Sequence, residues 1–71
     1  MTLKYADELQ VGDVWTERNK SGKGPPLSYR VLAVRDGLAA TTVCIIAENL
    51  TTGQRRASHF FRVNRVEVAP P

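Results

Sequence analysis

Seventy-one residues with a formal net charge of +3, 42% hydrophobic and 24% charged, describe one small folded domain, and exclude both a separate catalytic module and a disordered chain. The single cysteine, Cys44, excludes an internal disulfide and a thiolate metal cluster within one chain, and no apolar run reaches the length that crosses a bilayer. A domain of this size buries only roughly 60% of the surface its unfolded chain exposes, so a compact core, a bound partner or self-association has to supply its stability.

In chain order, residues 1–10 form a lead-in. Ala6-Asp7-Glu8-Leu9 suits a single helical turn, with acids at its first positions. The N-terminal residues lack the charged-then-apolar layout of a signal peptide, so a cytoplasmic setting is expected. Val11-Gly12-Asp13-Val14-Trp15-Thr16-Glu17 opens the first strand. Its alternation sets Val14 and Thr16 on one face and Asp13, Trp15 and Glu17 on the other. Trp15, the sole tryptophan, reads as a core plug ahead of a stacking platform. Residues 19–26, Asn-Lys-Ser-Gly-Lys-Gly-Pro-Pro, form a flexible basic loop that continues neither helix nor strand. It lacks the strand-to-helix setting and the Gly-Lys-Ser/Thr ending of a nucleotide-phosphate loop.

Leu27 to Arg35 is the second strand, stopped by the tight-turn pair Asp36-Gly37; Leu38-Ala39-Ala40 either finishes that turn or enters the next strand. Thr42 to Val63 then reads as a hairpin around Asn49-Leu50-Thr51-Thr52-Gly53. Asn49-Leu50-Thr51 is formally a glycosylation sequon, but without a secretory signal it reads as turn chemistry. Val63, Val66 and Val68 suggest a closing strand that ends at Ala69-Pro70-Pro71. No segment sustains a helical period, and the short strands and regular turns predict an all-β fold: a small, strongly bent barrel of five strands with one short helical turn.

If Leu50 opposes Gln54 across the hairpin turn, Ile45 faces His59, Cys44 faces Phe60 and Glu48 forms a cross-strand ion pair with Arg56. In that register Arg55 and Arg62 are the freer charges, and Cys44 and His59 lie on opposite faces. This leaves no nucleophile-and-base pair unless the register slips by one residue and brings them together. Paired carboxylates and metal-ligand clusters are also missing from the pattern, so a non-enzymatic protein without cofactor or metal is expected. Val43, Ile45 and Ala47 make one face of the third strand apolar, and Cys44 and Ile46 do the same for the other. A strand apolar on both faces is central or covered on its second side, and the cover is either a bulge near Ser58 that redirects Phe60 and Phe61 or a partner.

From Val11 to Val34 the order of residues resembles the KOW motif of SH3-like barrels. Val11-Gly12-Asp13-Val14 looks like its opening strand, Lys20-Ser21-Gly22-Lys23-Gly24 like its basic glycine loop, and Tyr29-Arg30-Val31-Leu32-Ala33-Val34 like its second strand. The pattern departs at Ser28-Tyr29-Arg30, where the family usually carries a glycine. Over its whole length the chain is also similar to small uncharacterised barrel proteins of actinobacteria and their phages, which share a Gly-Asp-Val-Trp string and a Thr-Gly turn. The first resemblance implies an SH3-like barrel that contacts RNA or proteins. The second implies the same fold in a prokaryotic or phage setting and carries no activity.

Charge layout points to a class of partner. Arg18, Lys20, Lys23, Arg30 and Arg35 lie in one acid-free segment, and Arg55, Arg56, Arg62 and Arg65, with His59, lie in a second. All seven acids (Asp7, Glu8, Asp13, Glu17, Asp36, Glu48 and Glu67) fall outside them. Folded side by side, the segments form one basic face; folded apart, they are solvated strand edges on which cations discourage pairing. Tyr29 beside Arg30, and Phe60-Phe61 between the arginines, add aromatic faces, at least one phenylalanine being expected in the core. The candidate nucleic-acid-binding residues are Arg18, Lys20, Lys23, Tyr29, Arg30, Arg55, Arg56, Arg62 and Arg65, a set suited to neutralising phosphates of RNA or DNA with little sequence specificity. The alternative is a protein-interaction or homo-oligomeric module, such as a phage-encoded binder of a host protein.

Overall fold

The structure, a computed structural model, describes residues 2–17, 22 and 24–69. It is all-β: β1 (Thr2–Tyr5), β2 (Val14–Glu17), β3 (Leu27–Asp36), β4 (Thr42–Asn49), β5 (Arg55–Phe61) and β6 (Arg65–Val68) form one antiparallel sheet in the order β1-β6-β2-β3-β4-β5. The described residues form six strands where the sequence suggests five. The extra strand comes from the lead-in, because β1 pairs with the far end of the chain through Thr2↔Val68, Leu3↔Glu67, Lys4↔Val66 and Tyr5↔Arg65. Val63, grouped above with the closing strand, instead lies in the turn before β6 and is exposed.

The expected helical turn is a 3-10 turn over Ala6–Glu8. The Glu8 carboxylate accepts a bond from the Tyr5 N–H at 3.0 Å, and the turn delivers Ala6 and Leu9 to the core. Leu38, Ala39 and Ala40 finish the turn after Asp36-Gly37. There the Thr42 hydroxyl donates to the Ala39 carbonyl at 2.9 Å and accepts from the Ala39 N–H at 3.1 Å. At the next turn the Asn49 side-chain oxygen accepts from the N–H groups of Thr51 and Thr52 at 2.8 and 3.1 Å, and Gly53 takes a positive φ of 75°. The sequon asparagine is therefore occupied in holding its own turn.

That turn changes the hairpin register. Asn49, not Leu50, faces Gln54, its N–H donating to the Gln54 carbonyl at 2.8 Å. The whole ladder shifts by one: Val43↔Phe60, Cys44↔His59, Ile45↔Ser58, Ala47↔Arg56 and Glu48↔Arg55. The pairs read from the sequence, Cys44 with Phe60, Ile45 with His59 and Glu48 with Arg56, are corrected accordingly. The cause is local, since the side-chain bonds of Asn49 fold residues 50–53 into a longer loop than the tighter turn assumed.

The core lies on the concave face. Val31, Val43, Ile45 and Ala47 are at most 1% exposed, and Trp15, Tyr29, Val66 and Val68 complete it with Ala6 and Leu9. Trp15 faces Tyr29 across β2 and β3, their rings stacked 5.3 Å apart, and meets Phe60 of β5 edge-on at 6.1 Å. Strands are about 4.8 Å apart, so a flat sheet holds β2 and β5 roughly 14 Å apart across β3 and β4. The observed contact requires the sheet to curl strongly around Trp15. One phenylalanine, Phe60, thus packs against the core, while Phe61 is 59% exposed.

Candidate functional site

The convex face of β3, β4 and β5 carries the candidate site, and its composition follows from register. Cross-strand partners share a face, and one row reads Arg30–Glu48–Arg55. The next is apolar, Ala33–Ile46–Ala57; the third is Arg35–Cys44–His59; and Thr42–Phe61 ends the series. Arg30, Arg35, Arg55, Ala57, His59 and Phe61 are exposed, and Ala33, Cys44 and Ile46 are half-buried. No element among the described residues lies over this face. The second apolar side of β4 is thus flanked by small residues and rimmed by arginines.

Arg35 joins the site through a backbone irregularity. The β3–β4 ladder shifts between Val31 and Ala33. Strict alternation along β3 sends Arg30 and Arg35 to opposite faces, because they are an odd number of positions apart. One extra residue in β3 reverses the parity, returning Val34 to the core side and Arg35 to the same face as Arg30. The composition of Leu27 to Asp36 contains no glycine or proline that marks the bulge, so the sequence offered Arg35 only as part of a basic segment.

The other arginines are engaged elsewhere. Arg56 projects to the concave side, where its Nη2 donates to both carboxylate oxygens of Glu17 at 3.1 and 3.0 Å. Its guanidinium carbon sits 4.1 Å from the centre of the Tyr29 ring. Tyr29 is only 3% exposed, with Trp15 stacked against it. Its ring is a core element and does not offer an open face to a base, which corrects its place among the stacking candidates. Arg62, read from the sequence as a freer charge, donates from Nε to the Ala40 carbonyl at 2.8 Å and from Nη2 to Asp36 at 3.2 Å. Arg65 lies on β6 with its guanidinium 5.7 Å from the Tyr5 ring. Arg18, Lys20 and Lys23 lie outside the described residues. Of the nine candidates, Arg30 and Arg55 share the convex face, while Tyr29, Arg56, Arg62 and Arg65 do not join them there. Neither Arg30, Arg35 nor Arg55 has an ion pair among the described residues, although Glu48 separates two of them in its row.

The corrected register sets Cys44 directly opposite His59 on this same face, where the sequence reading had separated them. No hydrogen bond joins them among the described residues, and the third member of their row, Arg35, has no acceptor with which to orient an imidazole.

No helix among the described residues is long and apolar enough to cross a membrane. No protein-family model, curated protein or solved structure matches the chain.

Proposed function

We propose that this is a non-enzymatic SH3-like small barrel that binds RNA or DNA through the convex face of β3–β5, with little sequence specificity, in a cytoplasmic prokaryotic or phage setting. The observation that carries the reading is the sharing of one uncovered face by Arg30, Arg35 and Arg55, the three arginines there without an ion pair among the described residues. Arginines spaced across a sheet neutralise a phosphate backbone without reading its sequence. Exposed Phe61 and His59 supply flat groups on which unpaired bases stack, in place of the buried Tyr29. The KOW-like order of residues from Val11 to Val34 and the strong curl of the sheet around Trp15 support the barrel.

The apolar row Ala33–Ile46–Ala57 favours a second reading, a protein-interaction module in which a partner covers that row. Titrating labelled single- and double-stranded oligonucleotides at two salt concentrations separates the two. Counterion release weakens nucleic-acid binding steeply as salt rises, and no binding at low salt leaves the protein-interaction reading.

A further inference from the structure

β5 is an edge of the sheet, paired with β4 alone among the described residues. The hydrogen bonds from Asn49 N–H to the Gln54 carbonyl and from Arg62 N–H to the Thr41 carbonyl, both 2.8 Å, fix which β5 residues face β4. They are the even-numbered ones. The N–H and C=O groups of Arg55, Ala57, His59 and Phe61 therefore point outward along the free edge. An open groove lined by Glu17, Arg56, Ala57, Ser58, His59 and Phe60 runs beside it.

Such edges are normally blunted by proline, a bulge, an inward-pointing charge or a short strand. β5 is seven residues long, contains no proline, and keeps an unbroken register with β4. Among the described residues its protection against pairing is confined to its arginines, and their positions make that protection depend on register.

We infer that β5 pairs antiparallel with β5 of a second copy of this chain, about a two-fold axis through Ser58, which joins two sheets into one. This goes beyond the nucleic-acid reading and does not depend on it. The partner is chosen by self-complementarity. An isologous contact has to match every residue with its own symmetry mate. Centred on Ser58, Arg55 faces Phe61 of the second copy, Ala57 faces His59, and Arg62 faces Gln54, so no two basic side chains are directly opposed. Centring on Ala57 pairs only residues 55–59 of the strand and leaves Phe61 unmatched within it, and centring on His59 sets Arg56 against Arg62. Centring on Arg56 opposes two copies of that arginine. Like charges directly opposite are destabilising, whereas an arginine opposite an aromatic ring is favourable.

In the Ser58-centred register the outward groups of Arg55, Ala57, His59 and Phe61 bond reciprocally, about eight hydrogen bonds in all. Exposed Phe61, without a neighbouring strand on its outer side among the described residues, gains the Arg55 guanidinium of the other copy. The axis is perpendicular to the sheet, so both convex faces lie on the same side.

Light scattering and a cysteine at the axis test this. The intact protein is expected to show twice its chain mass at about 100 μM. Ala57→Pro removes an outward N–H while sparing the bonds to β4, and is expected to weaken association at least tenfold. Ser58→Cys in a Cys44→Ser background is expected to form a reducible disulfide dimer spontaneously, because directly opposed, non-hydrogen-bonded residues have Cα atoms about 4.5 Å apart, within disulfide reach. His59→Cys in the same background faces Ala57 of the second copy and is expected to stay unlinked. A chain that is monomeric at that concentration, or a His59→Cys variant that crosslinks as readily as Ser58→Cys, overturns the inference.

Discussion

Arg56 and Glu17 are 39 residues apart in the chain, yet the Arg56 guanidinium donates to both Glu17 carboxylate oxygens across the mouth of the curled sheet. The same glutamate accepts a bond from the Trp15 indole N–H at 3.2 Å. One carboxylate thus ties the sheet's most buried aromatic to the strand that folds over it, and Arg56 closes the arrangement by covering Tyr29. Arg56 belongs to the architecture, whereas Arg30, Arg35 and Arg55 on the other side of the sheet have no ion pair among the described residues.

Arg56→Ala is accordingly expected to lower stability by about 1 kcal/mol, combining a partly exposed ion pair with the loss of an arginine over an aromatic ring. Arg56→Lys keeps the charge but not the flat guanidinium over Tyr29 and should recover only part of that. Urea denaturation followed by Trp15 fluorescence reads both. Neither change is expected to weaken oligonucleotide binding as much as reversal at Arg30 or Arg55.

Ile45 and Ile46 are sequence neighbours on opposite faces, one fully buried and one half-buried on the convex side. Ile45→Ala is expected to cost about 2–5 kcal/mol, enough to unfold much of a domain this small, whereas Ile46→Ala should cost about 1 kcal/mol or less. Circular dichroism melts of the two variants distinguish them. Equal effects would contradict the assignment of faces along β4.

These contrasts also mark what the sequence made legible. Alternation from Val43 to Ala47 identifies β4 and its buried face, and Asp36-Gly37 locates a turn. The hairpin register was less accessible because it depends on whether Asn49 or Leu50 closes the loop, and the two bonds from the Asn49 side chain decide that. A shift of one residue was enough to move Glu48 from Arg56 to Arg55 and to bring Cys44 and His59 onto one face. β1 is hard to read because the alternation of Thr2-Leu3-Lys4-Tyr5 spans only four residues and its partner is at the other end of the chain. The convex site was half legible: Arg30 and Arg55 were named, but the bulge that adds Arg35 has no composition cue.

Two glycines should respond differently to alanine. At Gly37 an added Cβ runs into the Thr42 side chain and comes within 2.8 Å of its backbone carbonyl carbon. Gly37→Ala is expected to displace the β3–β4 turn at about 1–3 kcal/mol. At Gly53 the space is open but φ is positive, so Gly53→Ala should cost about 1 kcal/mol through backbone strain alone. Chemical denaturation ranks them, and NMR shift changes should spread to Ala39 and Thr42 only for Gly37→Ala.

Charge reversal sorts the arginines by role. Arg30→Glu, Arg35→Glu and Arg55→Glu should each weaken binding to all oligonucleotide sequences alike and lower the salt slope by about 1. Arg65→Glu, on β6 beside Tyr5, should have a smaller effect. Fluorescence anisotropy with several unrelated sequences measures the pattern, and a preference for one sequence that vanishes in a single variant would point to base readout instead.

The most direct measurement is the affinity of the unaltered protein for a labelled single-stranded oligonucleotide at 50 and 200 mM salt. Phosphate contacts by Arg30, Arg35 and Arg55 predict a loss of roughly 20-fold between the two conditions. Absence of binding at 50 mM, or an affinity indifferent to salt, would contradict a nucleic-acid role for the convex face.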